Sequence, residues 1–113
     1  MIKRLLLFLL LFLSLFISFS QSTITGKIVD AADIGIPYAD ILLLNEEGNW
    51  TNDINSSDEN GEFKLTTKET GKFKISIISI GFEGYESDYF LLTLNKPFNL
   101  ETINLEQESF ELN

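Results

Sequence analysis

Short segments in which apolar and polar residues alternate dominate the chain from residue 21 onward. The clearest is KFKISIISI, residues 72–80, which places Phe73, Ile75 and Ile77 on one face and Lys74, Ser76, Ile78 and Ile80 on the other. Alternation or a short apolar run also marks segments 22–30, 38–44, 50–54, 62–67, 85–94 and 98–107. Because side chains along a β-strand point alternately to opposite faces, this pattern indicates strands and not helices.

The spacing of these segments predicts the fold class. About seven short strands with turn signals every ~8–12 residues are typical of an antiparallel sandwich or barrel. A parallel sheet needs crossover helices, for which no segment has room. We therefore predict an all-β fold, an antiparallel β-sandwich of about seven strands. Segment 38–44 is apolar enough at its end for burial on both faces, segment 50–54 is weak, and Lys96 and Pro97 protect the final strand as an edge.

The first twenty residues have the composition of an export signal. Lys3 and Arg4 form a basic head, Leu5–Phe19 is an apolar run, and Ser18–Ser20 offers small residues where a signal peptidase cleaves. The alternative is an uncleaved anchor, but the run falls short of the ~20 apolar residues that a spanning helix needs. We expect residues 1–20 to be a signal peptide cleaved after Ser20, and residues 21–113 to form one domain.

Charge and composition exclude several classes of function. The chain has 8 Lys and Arg against 17 Asp and Glu, and loss of Lys3 and Arg4 with the signal leaves a net charge of −11. Nucleic acid is therefore excluded as a partner, since binding it requires basic residues. Cysteine and histidine are absent, which removes disulfides, a lipid-modified cysteine, thiol catalysis, the usual catalytic triads and the commonest zinc ligand. We expect no enzymatic activity and no cofactor.

The stretch SDENGEF, Ser57–Phe63, contains the residue types of a calcium-binding loop. An EF-hand register set by Gly61 puts Ser56 at the first ligand position and Thr67 at the twelfth, where a bidentate Glu is required. Two positions are therefore wrong, and no helices flank the segment. The spacing argues against a calcium site of this kind.

We interpret SDENGEF instead as a hairpin turn. Asn60–Gly61 would supply the tight turn, Asp58 would accept hydrogen bonds from the amides of its own turn, and Phe63 would point into the core. We predict no metal site. Asp58, Asn60 and Glu62 stay only as weak candidates for a calcium contact.

Five aromatic residues are candidates for ligand contact: Tyr38, Trp50, Phe82, Tyr85 and Tyr89. Because strand aromatics usually bury a large apolar area, we expect Tyr38, Phe82 and Tyr85 to pack in or against the core. Trp50 differs, since its neighbours at positions 48–49 and 51–52 are glycine or polar. We predict that Trp50 is the aromatic most available to bind a sugar or a peptide.

Four stretches in series resemble a known family: ITGKIVDAADIGIPYADILLLN, SSDENGEFKL, GKFKISIISIGFEGYE and FNLETINLE. The matching positions are Ile24–Gly26 with Asp30, Pro37–Ala39, Asp58, Gly61 and Phe63, and Ser79–Phe82. From Thr23 to about Glu108 the chain resembles the carboxypeptidase-regulatory-like, or transthyretin-like, β-sandwich domain of exported Bacteroidetes proteins, found at the N-terminus of TonB-dependent receptors and related outer-membrane β-barrel proteins. Where that pattern has a threonine before the turn aspartate, Ser57 keeps a hydroxyl for local bonding.

The resemblance implies a non-catalytic accessory or interaction module of the periplasm, outer membrane or cell surface. Members usually continue into a plug and a barrel, whereas this sequence ends at Asn113, so we expect either a stand-alone domain or the N-terminal part of a receptor. Its partner would be an outer-membrane or periplasmic protein. The alternative is a small carbohydrate- or peptide-binding sandwich that uses exposed aromatics such as Trp50, with a glycan as the partner.

Overall fold

The structure is a computed structural model that describes residues 1–14 and 21–109. It begins with helix α1, Ile2–Ser14, whose apolar side chains from Ile2 to Leu13 are exposed. No helix within the described segments has the length and hydropathy that a membrane crossing requires. The predicted cleavage site after Ser20 lies outside the described residues, so the signal peptide and the domain boundary at residue 21 stay predictions.

Within residues 21–109, eight strands follow the helix. They are β1 Ser22–Val29, β2 Asp40–Leu44, β3 Trp50–Ser56, β4 Glu62–Thr67, β5 Gly71–Ile78, β6 Tyr85–Glu86, β7 Phe90–Leu92 and β8 Phe98–Asn104. The predicted strand over 85–94 is in fact two short strands. Ser87 separates them, because its Oγ accepts a hydrogen bond of 2.9 Å from the Ile75 amide and donates one to the Asp88 carbonyl.

The strands form two sheets, which confirms the predicted sandwich. One sheet has the order β4-β1-β8, and the other has β3-β2-β5-β6, with β7 pairing farther along β5. Of the six strand pairings among the described residues, only β1–β8 is parallel, with Ile24 opposite Phe98 and Val29 opposite Asn104. That pairing needs no crossover helix, because the chain between β1 and β8 returns through the opposite sheet.

The core lies between the inward faces of the two sheets. As predicted, Phe73, Ile75 and Ile77 of β5 are buried there, opposite Ile24 and Ile28 of β1. The other members of the core are Ile36, Ala39, Ile41, Leu43, Phe63, Leu65, Phe90, Leu92, Ile103 and Leu105. Each fully buried Ile or Leu contributes about 1.5–3 kcal/mol relative to exposure, so a domain without cysteine is held by this apolar layer.

A glycine in β1 makes room for an aromatic ring in the core. Gly26 is in register with Phe63 of β4, and a Cβ built on Gly26 would lie 2.6 Å from the end of the Phe63 ring. Real side chains do not tolerate such a distance, so the ring occupies the space that another residue at position 26 would fill. This packing gives Gly26, one of the family-like positions, a structural role, and it confirms that Phe63 points inward.

Candidate functional site

The turn at Asp58 is held by its own polar groups. Oδ1 of Asp58 accepts hydrogen bonds of 2.9 Å from the amides of Asn60 and Glu62. The backbone closes the same loop, since the Asp58 amide donates to the Glu62 carbonyl at 2.8 Å and the Gly61 amide donates to the Asp58 carbonyl at 3.0 Å. The predicted bonding of Asp58 to its own turn is confirmed.

The interpretation of this turn as a hairpin is wrong. β3 pairs with β2 in the five-stranded sheet, whereas β4 pairs with β1 in the three-stranded sheet. The turn therefore carries the chain from one sheet to the other across the edge of the sandwich. Apolar and polar residues would alternate around the turn in the same way in a hairpin and in a connection between two sheets. Only the pairing partners of β3 and β4 distinguish the two arrangements.

Gly61 packs directly against the backbone of the β1–β2 loop. Its φ is +80°, and a Cβ on it would collide with the Ile28 carbonyl oxygen and lie 2.8 Å from the Ile36 amide nitrogen. The Gly61 carbonyl accepts a hydrogen bond of 2.8 Å from Ile28, and a Cβ on Gly35 would collide with the backbone of Asn60. Two glycines thus allow two backbone segments to touch, which explains why no side chain fits at position 61.

Ser57 ties the same loop to the turn through remote contacts. Its buried hydroxyl donates to the Ile36 carbonyl at 2.7 Å and accepts from the Ala39 amide at 2.9 Å. Its backbone carbonyl accepts a further hydrogen bond from Tyr38. The expectation of local bonding by this hydroxyl is wrong, because its partners lie 18 and 21 residues away and not in the local turn.

The three weak metal-ligand candidates lie together on this turn, and all three side chains are exposed. One carboxylate oxygen of Asp58 is engaged by two amides. Across residues 1–14 and 21–109, no three Asp or Glu side chains are grouped so that they could hold a metal ion. The prediction of no metal site stays untested, and Asp58, Asn60 and Glu62 stay weak candidates for a calcium contact.

An open groove of about 640 Å³ lies beside the turn, over the outer face of the three-stranded sheet. Most residues that line it are polar, and they carry both signs of charge: Lys27 and Lys64 on one hand, and Asp58, Glu62 and Glu101 on the other. The neighbouring strands present Thr25 and Asn99 to the same space. Such a surface can exchange hydrogen bonds with water or with a polar ligand, but it offers no aromatic platform beyond the buried Phe63.

The aromatic candidates divide in an unexpected way. Phe82 and Tyr85 are partly buried against the core, as predicted. Tyr38 is 70% exposed, so the expectation that it packs inward is wrong. Its φ of +57° belongs to the left-handed region, and this conformation directs the chain differently from a strand.

Trp50 is 48% exposed, as predicted, and its Nε1 donates to the Asp53 carbonyl at 3.1 Å. The binding role predicted for Trp50 remains untested.

Tyr89 contacts the β2–β3 turn and two lysines of β5. Its hydroxyl donates to the Glu46 carbonyl at 3.1 Å, and the Nζ atoms of Lys72 and Lys74 lie 5.6 and 5.1 Å from the centre of its ring. Lys74 also contacts Glu86 at 3.0 Å. That hydrogen bond is the main reason why the pKa of Lys74 is raised above its ordinary value.

The outer face of the five-stranded sheet carries a group of apolar side chains, which an irregularity in the β2–β3 register between Leu42 and Leu44 divides into two parts. Leu42 of β2 is in register with Ile54 of β3, and Leu44 is in register with Trp50, so all four share the face opposite the buried Ile41 and Leu43. Ile78 of β5 is opposite Asp40, one diagonal step from Leu42. We call Leu42, Trp50, Ile54 and Ile78 the apolar stripe.

Most of the stripe is exposed to solvent. Ile54 and Ile78 are 49% and 55% exposed, and Leu42 is half-buried between them. Ile80 is exposed just beyond the end of the stripe, as is Tyr38. The alternation in segment 72–80 already placed Ile78 and Ile80 opposite the core residues. The signal was present in the sequence, but it did not show that three strands bring such residues together.

Known structures with a similar fold are diverse. They include the Bacillus anthracis TIE protein (TM-score 0.63, 20% identity, 77% of this chain and 17% of that chain) and the minor pilin GBS52 of Streptococcus agalactiae (TM-score 0.60, 14% identity, 83% and 48%). A third is 3-chlorocatechol 1,2-dioxygenase from Rhodococcus opacus (TM-score 0.54, 11% identity, 78% and 60%). At these identities the likeness concerns the fold alone, and the chain spans less than two thirds of each of these proteins.

No curated protein sequence matches the chain significantly. The family comparison is more specific. The model of the carboxypeptidase regulatory-like domain matches residues 23–106, a range that contains all eight strands except the first residue of β1. It also contains the Asp58 turn and the whole apolar stripe. The chain therefore belongs to the carboxypeptidase regulatory-like domain family.

Proposed function

We propose that this protein is a non-catalytic, exported accessory module that acts by binding another protein at the outer membrane, beside or as part of a receptor or barrel protein. The observation that carries the proposal is that two polar residues of the family pattern, Ser57 and Asp58, serve to hold the fold together. Asp58 and Ser57 are engaged in hydrogen bonds that hold a turn and a loop together. These groups stabilise a scaffold, which leaves the surface of the sandwich for interaction.

Export is supported by the N-terminal segment. The basic pair Lys3–Arg4 lies in the first turn of helix α1, whose apolar side chains are exposed, and within the described residues the apolar core begins at Ile24. A segment of this kind contributes nothing to the core, as expected for a signal that is removed. The strongly acidic remainder, with a net charge of −11 by sequence, suits a protein that stays soluble after export.

Cell fractionation with N-terminal sequencing tests the proposal. A C-terminally tagged chain produced in its own host should appear in the envelope fraction with Gln21 as its first residue. Mild cross-linking should then recover an outer-membrane protein with it. Recovery from the cytosol with residues 1–20 intact would contradict export, and recovery from the envelope without any cross-linked protein would contradict the accessory role.

A second candidate function is carbohydrate binding, favoured by the position of Trp50. The ring is half-exposed, and the hydrogen bond from Nε1 to the Asp53 carbonyl fixes its edge. Sugars stack on aromatic rings held in this way. Retention of the purified domain on a polysaccharide column, with release by Trp50→Ala, would establish this alternative; equal elution of the two proteins from every polysaccharide tried would reject it.

A further inference from the structure

We propose that the apolar stripe is the docking surface of the module, and that its occupant is a protein segment with apolar side chains flanked by lysine or arginine. This inference rests on the interaction-module function proposed above. It names the surface and the chemistry of the partner.

The first step of the argument is that the stripe has no role in the core. The inward residues Ile41, Leu43, Ile75 and Ile77 are fully buried on the other side of the same strands. The stripe residues therefore lie outside the layer that holds the two sheets together. Polar residues at these positions would serve the fold equally well, as they do on the outer face of the three-stranded sheet.

The second step concerns continuity. A single exposed apolar residue is common on protein surfaces, but here the register places Ile54 beside Leu42, and Ile78 lies one diagonal step away. Trp50 pairs with the buried Leu44 on the same face, beyond the register irregularity that follows Leu42. Contiguous apolar surface bordered by polar residues marks interaction sites, and tryptophan is enriched among the residues that dominate binding energy.

The third step is the charge around the stripe. Asp40 lies opposite Ile78, and Glu46 and Glu47 form the turn between Leu44 and Trp50. On the β5 side lie Lys74, which is in register with Leu44, and Lys72, both over the Tyr89 ring, and Glu86 pairs with Lys74 at 3.0 Å. Four acidic residues therefore border the stripe against two lysines. The border is therefore acidic in balance, and complementarity calls for a basic partner.

The same charges argue against a second copy of the chain as the occupant. Each domain carries a net charge of −11 by sequence, so a dimer through the stripe would bring two acidic borders into contact, and their like charges would repel. A neutral glycan would gain nothing from the acidic border. Both occupants are nonetheless outcomes that the experiment can reveal.

Trp50 is the only tryptophan in the chain, so its fluorescence reports on the stripe directly. Two tryptophan-free synthetic peptides serve as probes. Both have the same spaced Leu and Phe residues, one with Lys between them and the other with Glu. The Lys peptide should give a saturable change in emission that weakens as salt is added, and the Glu peptide should give none.

Ile54→Thr and Ile78→Thr should each weaken binding of the Lys peptide about tenfold, since central apolar contacts dominate such interfaces. The matched control is Leu91→Thr, a more exposed apolar residue of β7 that pairs with Lys72 and is not part of the stripe, which should leave binding unchanged. Equal binding of both peptides, equal loss in all three variants, or no saturable change with the Lys peptide would overturn the inference. So would a concentration-dependent dimer that Ile78→Thr abolishes, or a polysaccharide that alone shifts the emission.

Photo-cross-linking in the host separates this inference from the proposed function. A photoreactive residue is placed either at Ile78 on the stripe or at Thr66 on the outer face of β4. Cross-links from position 78 alone, to a segment rich in apolar residues and Lys or Arg, would support the inference. Cross-links from position 66 alone would overturn it while the interaction function stands, and the absence of cross-links from both positions would count against the function as well.

Discussion

The two outer faces of the sandwich differ, although the two inner faces are alike. Both inner faces are apolar because the core requires it. The outer face of the three-stranded sheet is polar, with Thr25 and Lys27 on β1 between Lys64 on β4 and Asn99 on β8. The outer face of the five-stranded sheet instead carries the apolar stripe, with Ile54 and Ile78 about half-exposed.

The difference separates residues that the fold needs from residues that it does not. On the side of the Asp58 turn, polar groups that look like a metal loop are used to hold backbone segments together. On the stripe, apolar side chains that look like core residues are left in contact with water. Substitutions near the turn should therefore cost stability, whereas substitutions on the stripe should cost binding and little stability.

The largest loss of stability is expected from Gly61→Ala. The φ of +80° costs a non-glycine residue about 1–2 kcal/mol, and the collision of the new Cβ with the Ile28 carbonyl forces a backbone shift worth about 1–3 kcal/mol. We expect the free energy of unfolding to fall by about 3 kcal/mol, measured by urea denaturation.

Gly48→Ala is the matched control for Gly61→Ala. Gly48 has nearly the same φ, +81°, but its added Cβ would meet no atom within 4 Å. Only the backbone strain applies there, so we expect a loss of about 1 kcal/mol. Equal losses of stability in the two variants would show that the contact between the turn and the β1–β2 loop is not what restricts position 61 to glycine.

The next effect is that of Ser57→Ala. The variant removes a buried hydroxyl and leaves the Ile36 carbonyl and the Ala39 amide without this partner, which costs about 1–3 kcal/mol. The neighbouring Ser56 is exposed, and Ser56→Ala should change stability by less than about 0.5 kcal/mol. Thermal unfolding of the two variants side by side measures the difference. A neutral Ser57→Ala would mean that water replaces the hydroxyl.

Asp58→Ala should lower stability by about 1 kcal/mol, because two turn amides lose their acceptor. Asp58→Asn keeps an oxygen at the same place and should lose less. We also expect millimolar calcium to leave the melting temperature of the parent protein unchanged. A rise in melting temperature that Asp58→Ala abolishes would instead establish a calcium contact.

The smallest changes in stability are expected on the stripe. Ile54→Thr and Ile78→Thr keep a β-branched side chain and remove only half-exposed apolar atoms, so each should stay within about 0.5 kcal/mol of the parent protein. Urea denaturation of the variants used in the binding test measures this. A loss comparable to that of Ser57→Ala would mean that the stripe serves the fold, and the contrast between the two faces would fail.

Much of this architecture was predictable from local pattern. Alternation located the strands and identified Phe63, Phe73, Ile75 and Ile77 as core residues. Residue chemistry also predicted that Asp58 bonds within its own turn. Such features depend on neighbours a few residues apart, because the strand period of two and the reach of a short side chain operate at that range.

The candidate site was less predictable, for two physical reasons. Tyr38 was expected to pack inward, but its positive φ turns it away from the strand, and a sequence does not specify that conformation for tyrosine. The stripe can be predicted only if the order of the strands in the sheet is known. Ile78 belongs to it because β5 pairs with β2 and β2 pairs with β3. The apolar outer residues of one strand alone do not reveal such a surface.

The sequence by itself determined where most of the strands lie, the inward side of the clearly alternating strands, and the bonding of Asp58 within its own turn. Only the tertiary structure decided that β1 pairs in parallel with β8, that the Asp58 turn crosses between sheets, and that the Ser57 hydroxyl reaches residues 36 and 39. Alternation sets which way a side chain points along its own strand. It does not set which strand lies next to it, because pairing depends on contacts between residues far apart in the chain.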